Sequence, residues 1–210
     1  MATKQTSMHT FSGQLGSTVG YAKFGENFER LLGKTKNPKN PKTQKQLVVR
    51  LKFKMLTEFL RRISGFIAGP FKSGTMPATS ACFKRNYSQV FSGNYPDFEL
   101  LYNKLEVSTG SLEMPYSPSA VIDSQMLNVS WTDNSGIGTA KGTDQAMLLV
   151  YNSAKGQAVY SLTAGERTAR LATLTLPSAW SGDSVDIWMA MRDDESKHYT
   201  PSVYLGNFSI

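Results

Sequence analysis

In residues 34–63, KTKNPKNPKTQKQLVVRLKFKMLTEFLRRI, a basic, proline-punctuated lead-in runs straight into one long amphipathic helix. Pro38 and Pro41 push Asn37 and Asn40 toward extended backbone, so residues 34–45 read as an arm or surface loop. Thr43 followed by Gln46 has the spacing of a capping box, which starts the helix at Gln44. Leu47, Leu51, Met55, Phe59 and Ile63 share one face, and Val48, Leu56 and Leu60 widen it into a stripe that should be buried. Ser64-Gly65 and Gly69-Pro70 break the pattern, so the helix should cover 44–63.

The same helix is basic. Arg50, Lys52, Lys54, Arg61 and Arg62 decorate it against one acid, Glu58. They form either a solvated face or a surface for an anionic partner, nucleic acid or an acidic protein patch. The asymmetry extends along the chain. Residues 1–105 hold 17 Lys/Arg against 5 Asp/Glu, while residues 106–210 hold 6 against 11, so a half at +12 precedes a half at −5. Contacts between copies, basic half onto acidic half, are therefore electrostatically favoured, the alternative being that the two halves fold onto each other within one monomer and neutralise the same charges. The expected contact residues are Lys34, Lys36, Lys39, Lys42, Lys45, Arg50, Arg61 and Arg62 on the basic side, with the acidic loop Asp193, Asp194 and Glu195 as their counterpart. Self-association or other particle proteins are the expected partners, with nucleic acid as the alternative.

Outside this stretch the chain divides by texture. Residues 8–32 read as short strands around a turn at Gly25-Glu26-Asn27, and the glycines there serve turns and bulges rather than a phosphate cradle. Ala78–Val90 reads as a second helix, Gly93–Pro96 as a turn and Phe98–Val107 as a strand. Pro115 and Pro118 frame an expected boundary between a basic α+β region, 1–115, and a β domain, 117–210. The second region offers seven strands: 120–123, 126–132, 145–152, 158–163, 168–176, 184–192 and 202–208. The fold class is thus a β-hairpin unit plus two helices, followed by an all-β seven-stranded sandwich in which Trp131 should be buried.

No chemical constellation stands out. Cys82, the single cysteine, lies among apolar residues and reads as a buried inert thiol, and a lone cysteine forms no intrachain disulfide. His9 and His198 lie in no metal-ligand spacing, and Asp193-Asp194-Glu195 lacks the alternation of a calcium loop. The expectation is no cofactor, no metal and no enzymatic activity. The first sixteen residues are polar, which predicts no secretory signal, and no run is apolar enough for a membrane span. The expected location is the cytoplasm after synthesis, and a virion thereafter if the protein enters a particle.

Two resemblances add to this. Val129-Ser130-Trp131-Thr132, with Ser202-Val203-Tyr204-Leu205 as last strand, resembles fibronectin type III or immunoglobulin-like domains over about 90 residues. The whole chain resembles an uncharacterised family known from Bacteroidetes and their mobile elements. The matching segments are Gly13–Gly16, Val19–Tyr21, Asn40–Thr43 with Gln46, Arg50 with Phe53, Tyr95–Phe98, Trp131–Gly136, Trp180–Asp183 and Val203–Gly206. That likeness implies no activity. The Asn-Pro-x-Thr-x-x-Gln entry at Asn40–Gln46 also resembles a motif of small phage structural proteins. Together these suggest a non-enzymatic structural or assembly protein, a virion component being the concrete form. A nucleic-acid-binding protein is the alternative, and an adhesin or a carbohydrate- or protein-binding module the second.

Overall fold

The computed structural model describes residues 13–23, 26–32, 43–72 and 75–210. Lys34, Lys36, Lys39 and Lys42 lie outside the described residues. The chain forms two compact units, Met1–Gln44 and Lys45–Ile210. The change of texture near residue 115 therefore falls inside the second unit.

The first unit is a thin antiparallel meander of β1 (Gly13–Leu15), β2 (Thr18–Lys23) and β3 (Glu26–Leu31). Its Tyr21 and Phe28 face one another across β2 and β3 and stack at 5.7 Å. Leu15 and Leu31 remain open to solvent, Leu31 at 74% exposure.

The second unit opens with α1 (Gln44–Arg62), α2 (Ser64–Ile67) and α3 (Ala78–Asn86), then the hairpin β4 (Phe91–Asn94) and β5 (Asp97–Leu100). Seven strands follow: β6 (Tyr116–Asp123), β7 (Met126–Thr132), β8 (Gln145–Asn152), β9 (Gln157–Ser161), β10 (Leu171–Thr175), β11 (Ser184–Arg192) and β12 (Val203–Ser209). They pair antiparallel in two sheets, one ordered β10-β7-β6 and the other β12-β11-β8-β9. The protein is thus mostly β with three helices among the described residues, broadly α+β.

The register of β8 and β11 explains how the layers assemble. Side chains alternate faces along a strand, so a strand apolar at every position is covered on both sides. In β8, Ala146, Leu148 and Val150 enter the core shared with β7, β10 and β11, which holds Leu127, Val129, Trp131, Ala172, Ile187 and Met189. The alternate residues Met147, Leu149 and Tyr151 join a second core with Leu56, Phe59, Leu60, Ile63, Phe66 and Ile67 of the helices. β11 does the same, sending Val185, Ile187, Met189 and Met191 one way and Trp188 and Ala190 the other. The helices are therefore the third layer of the same body, laid on the outer face of the four-stranded sheet. Aromatic rings fasten this layer: Phe59 lies 4.8 Å from Tyr151 and 6.0 Å from Trp188, edge-on and tilted respectively.

Several local readings differ from the structure: the strand expected at 120–123 begins at Tyr116, and the one expected at 168–176 opens on a 3-10 turn at Arg167–Ala169 and is a strand only over Leu171–Thr175. The second helix ends at Asn86, because the Asn86 side chain turns inward to bond Glu106 and the carbonyl of Cys82. Phe91–Asn94 is a strand paired with β5 rather than only a turn. The expected strand Phe98–Val107 stops at Leu100, where a single 3-10 turn at Tyr102–Lys104 redirects the chain.

Candidate functional site

α1 is buried over its C-terminal half only. Leu56, Phe59, Leu60 and Ile63 reach the core, but in the first turns Val49 is 55% and Phe53 53% exposed. Of the stripe anticipated from Leu47 onward, Leu47, Val48, Leu51 and Met55 are only half-buried. Lys45, Arg50, Arg61 and Arg62 are exposed on the same helix, the last two in its final turn, where cations complement the helix dipole. Lys52 is engaged differently: its ammonium sits 4.5 Å from the Phe98 ring centroid and 5.3 Å from that of Phe91, fastening the β4–β5 hairpin to α1. Lys54 pairs with Glu58 one turn on, at 3.9 Å.

Phe53 also leans on Phe83 of α3, ring centroids 4.9 Å apart. Between the two helices runs an open groove of about 310 Å³ lined by Phe53, Thr57, Leu60, Arg61, Thr79 and Phe83 among others. An apolar floor with a guanidinium at its edge suits an amphipathic protein segment carrying negative charge. Among the described residues no group of three or more His, Cys, Asp or Glu is placed to hold a metal ion. No helix among the described residues is long and apolar enough to cross a membrane. Cys82 is enclosed, and burial pushes its thiol up to about 12 despite the Asn86 amide at 3.4 Å, so it stays protonated and inert.

The acidic loop is less uniform than its sequence. Asp193 is turned inward, where Oδ1 accepts the amides of Lys197 (2.6 Å) and His198 (3.1 Å) and Oδ2 faces His198 Nδ1 at 2.8 Å. Burial alone would raise this carboxyl, but those amides and the imidazole hold it below its ordinary value. Asp194 and Glu195 remain exposed, Asp194 capping the Glu195 amide and Glu195 pairing with Lys197. Of the three acids, two therefore face solvent and one staples the loop.

A family model covers residues 10–206, nearly the whole chain. The chain belongs to DUF6266, a family of unknown function. No curated protein matches it. In this DUF6266 protein the Trp131–Gly136 segment builds structure rather than a site. Asp133 caps the amide and hydroxyl of Ser135, and Asn134 bonds the carbonyl of Met114 and, at 2.6 Å, Arg167 Nη1. Trp131 is 5% exposed and donates Nε1–H to the Arg167 carbonyl at 2.9 Å. Arg167 is fully buried, with Nη2 3.0 Å from Asp144 Oδ2 and 2.7 Å from the Glu113 carbonyl. Nothing in the loop sequence Ala164–Arg170 marks Arg167 out from Arg170, which is exposed. The Trp180–Asp183 segment of the DUF6266 chain is structural too: Trp180 donates to Gln157, and Asp183 gathers Asn152 and Lys155.

Proposed function

We propose that this protein is a non-enzymatic assembly protein that works by presenting protein-binding surfaces, with a second copy of itself as the first partner. The observation that carries the reading is the first half of α1, where Phe53 and Val49 stand half-exposed among cations beside an open apolar groove. Isolated exposed apolar residues mean little, but rings and aliphatics grouped with cations on one helix face mark an interface. The thin meander of the first unit, exposing Leu15 and Leu31, supports the same reading. The occupant follows from charge: a basic half at +12 meets an acidic half at −5 whose Asp194 and Glu195 are free of the core. Such a contact is heterologous, closing into a ring or running into a filament. A virion or other particle component, encoded by a phage or mobile element of Bacteroidetes, is the concrete form, in keeping with the phage-like Asn40–Gln46 entry.

The sheet order β10-β7-β6 against β12-β11-β8-β9, with Trp131 on the second strand of the first sheet, supports an immunoglobulin- or fibronectin III-like sandwich as the presenting scaffold. Nucleic-acid binding is the second reading, favoured by the exposed Lys45, Arg50, Arg61 and Arg62 on one helix. Titration against DNA and RNA separates the two. Tight binding with a steep logarithmic salt dependence favours the second reading, and weak binding beside a salt-sensitive oligomer favours the first.

A further inference from the structure

The molecule holds a second concave feature beside the acidic loop. A cleft of about 520 Å³ lies between the Gly69–Lys72 turn, the Thr109–Ser111 segment and the Ser196–Tyr199 loop. Its charged or titratable basic groups are Lys72, Lys197 and His198, its hydroxyl groups include Thr109, Ser111 and Ser196, and among the described residues no carboxylate lines it. Lys72 comes from the basic first half of the chain, and Lys197 and His198 from the acidic second half.

We propose that this cleft binds a tetrahedral oxyanion, phosphate or sulfate, either free or as an ester on a small solute. The His198 ring is held through Nδ1 by Asp193 Oδ2 at 2.8 Å, which fixes its orientation. Asp193 itself lines an adjoining hollow of about 350 Å³ with Thr139 and Lys141, which shares Ser111 and His198 with this cleft. The Lys197 ammonium meets Glu195 in an exposed pair, which an arriving anion displaces at small cost. The Thr109, Gly110 and Ser111 amides donate to no acceptor among the described residues. Gly110 is bare for a local reason, since a Cβ there would collide with the Tyr199 carbonyl. The wall at that point is therefore backbone, and bare amides beside cations and hydroxyls are the groups that cradle oxyanions.

The test is amide NMR on the full-length, isotope-labelled chain, titrated with sodium phosphate, sodium sulfate or glucose 6-phosphate, against sodium chloride at matched ionic strength. Saturable shifts confined to Gly69–Lys72, Thr109–Ser111 and Ser196–Tyr199, absent with chloride, are expected. The exposed pair of substitutions Lys72→Gln and Lys197→Gln should weaken that binding about tenfold or more while the rest of the spectrum stays in place. Glucose 6-phosphate binding more tightly than inorganic phosphate assigns the ester, and equal binding assigns the free ion. No saturable shift with any of the three probes, or shifts unchanged in the double variant, overturns the proposal.

Discussion

Arg167 and Asp144 are both wholly buried, and Nη2 of the one lies 3.0 Å from Oδ2 of the other. Asp144 Oδ2 also accepts Arg167 Nε at 3.1 Å and the Lys141 amide at 2.9 Å, while its Oδ1 has no partner among the described residues. The guanidinium thus ties the β7–β8 loop, through Asn134 and Asp144, to the segment before β10 and to the Glu113 carbonyl.

Breaking this pair should be expensive, because each single substitution strands a buried charge. Arg167→Met should lower stability by about 3–5 kcal/mol, read as a shift in the urea midpoint. Adding Asp144→Leu to it should recover part of that loss, since two apolar groups leave no charge unpaired.

The two phenylalanines of α1 should behave oppositely. Phe59 is 2% exposed and packs on Tyr151, Trp188 and Tyr102, so Phe59→Ala should cost about 3–5 kcal/mol in chemical unfolding. Phe53→Ser lies half in solvent and should change stability by no more than about 1 kcal/mol, its effect falling on association instead.

Asp193 predicts an acid-side loss of stability. Its folded carboxyl titrates below its unfolded value, about 3.9, so its contribution is fully present above that value. It is lost as pH falls through the lower folded value, when the Lys197 and His198 amides lose their carboxylate. Urea midpoints measured from neutral pH down to pH of about 3 should fall less steeply in Asp193→Asn than in the wild type.

Glycines at two positions give a graded pair. Gly110→Ala drives a methyl into the Tyr199 carbonyl, which is backbone and cannot step aside, whereas Gly69→Ala meets the Tyr199 hydroxyl at the end of a side chain. Thermal unfolding should show Gly110→Ala as the more damaging substitution, with both below the wild type.

Much of the fold was legible because its signals are local and periodic. The Thr43–Gln46 spacing marks the helix start at Gln44, and the strands at 126–132, 145–152 and 184–192 lie at the expected bounds. The layering was less so. The run Ala146–Tyr151 is apolar on both faces, and that was the available sign that a further layer covers the outer side of β8. Arg167 had no sign at all, since its partners Asn134, Asp144 and Glu113 come from other loops and only the folded sheets bring them together. Asp193 read as one of three equivalent acids, because the hydrogen bonds that turn it inward come from Lys197 and His198 of the closed loop. The first half of α1 is the converse case: Leu47, Val48, Leu51 and Met55 of the expected stripe are only half-buried, and Val49 and Phe53, which lay outside that stripe, are exposed.

That exposed surface is the centre of the account, and light scattering on the purified chain tests it. Mass should be measured at low and high salt over a range of protein concentration, for the wild type and for Phe53→Asp with Arg50→Glu. Particles larger than a monomer at low salt, shrinking as salt rises and absent in the double variant, are the predicted result. A monomer under every condition, or an oligomer that the α1 substitutions leave unchanged, would contradict it.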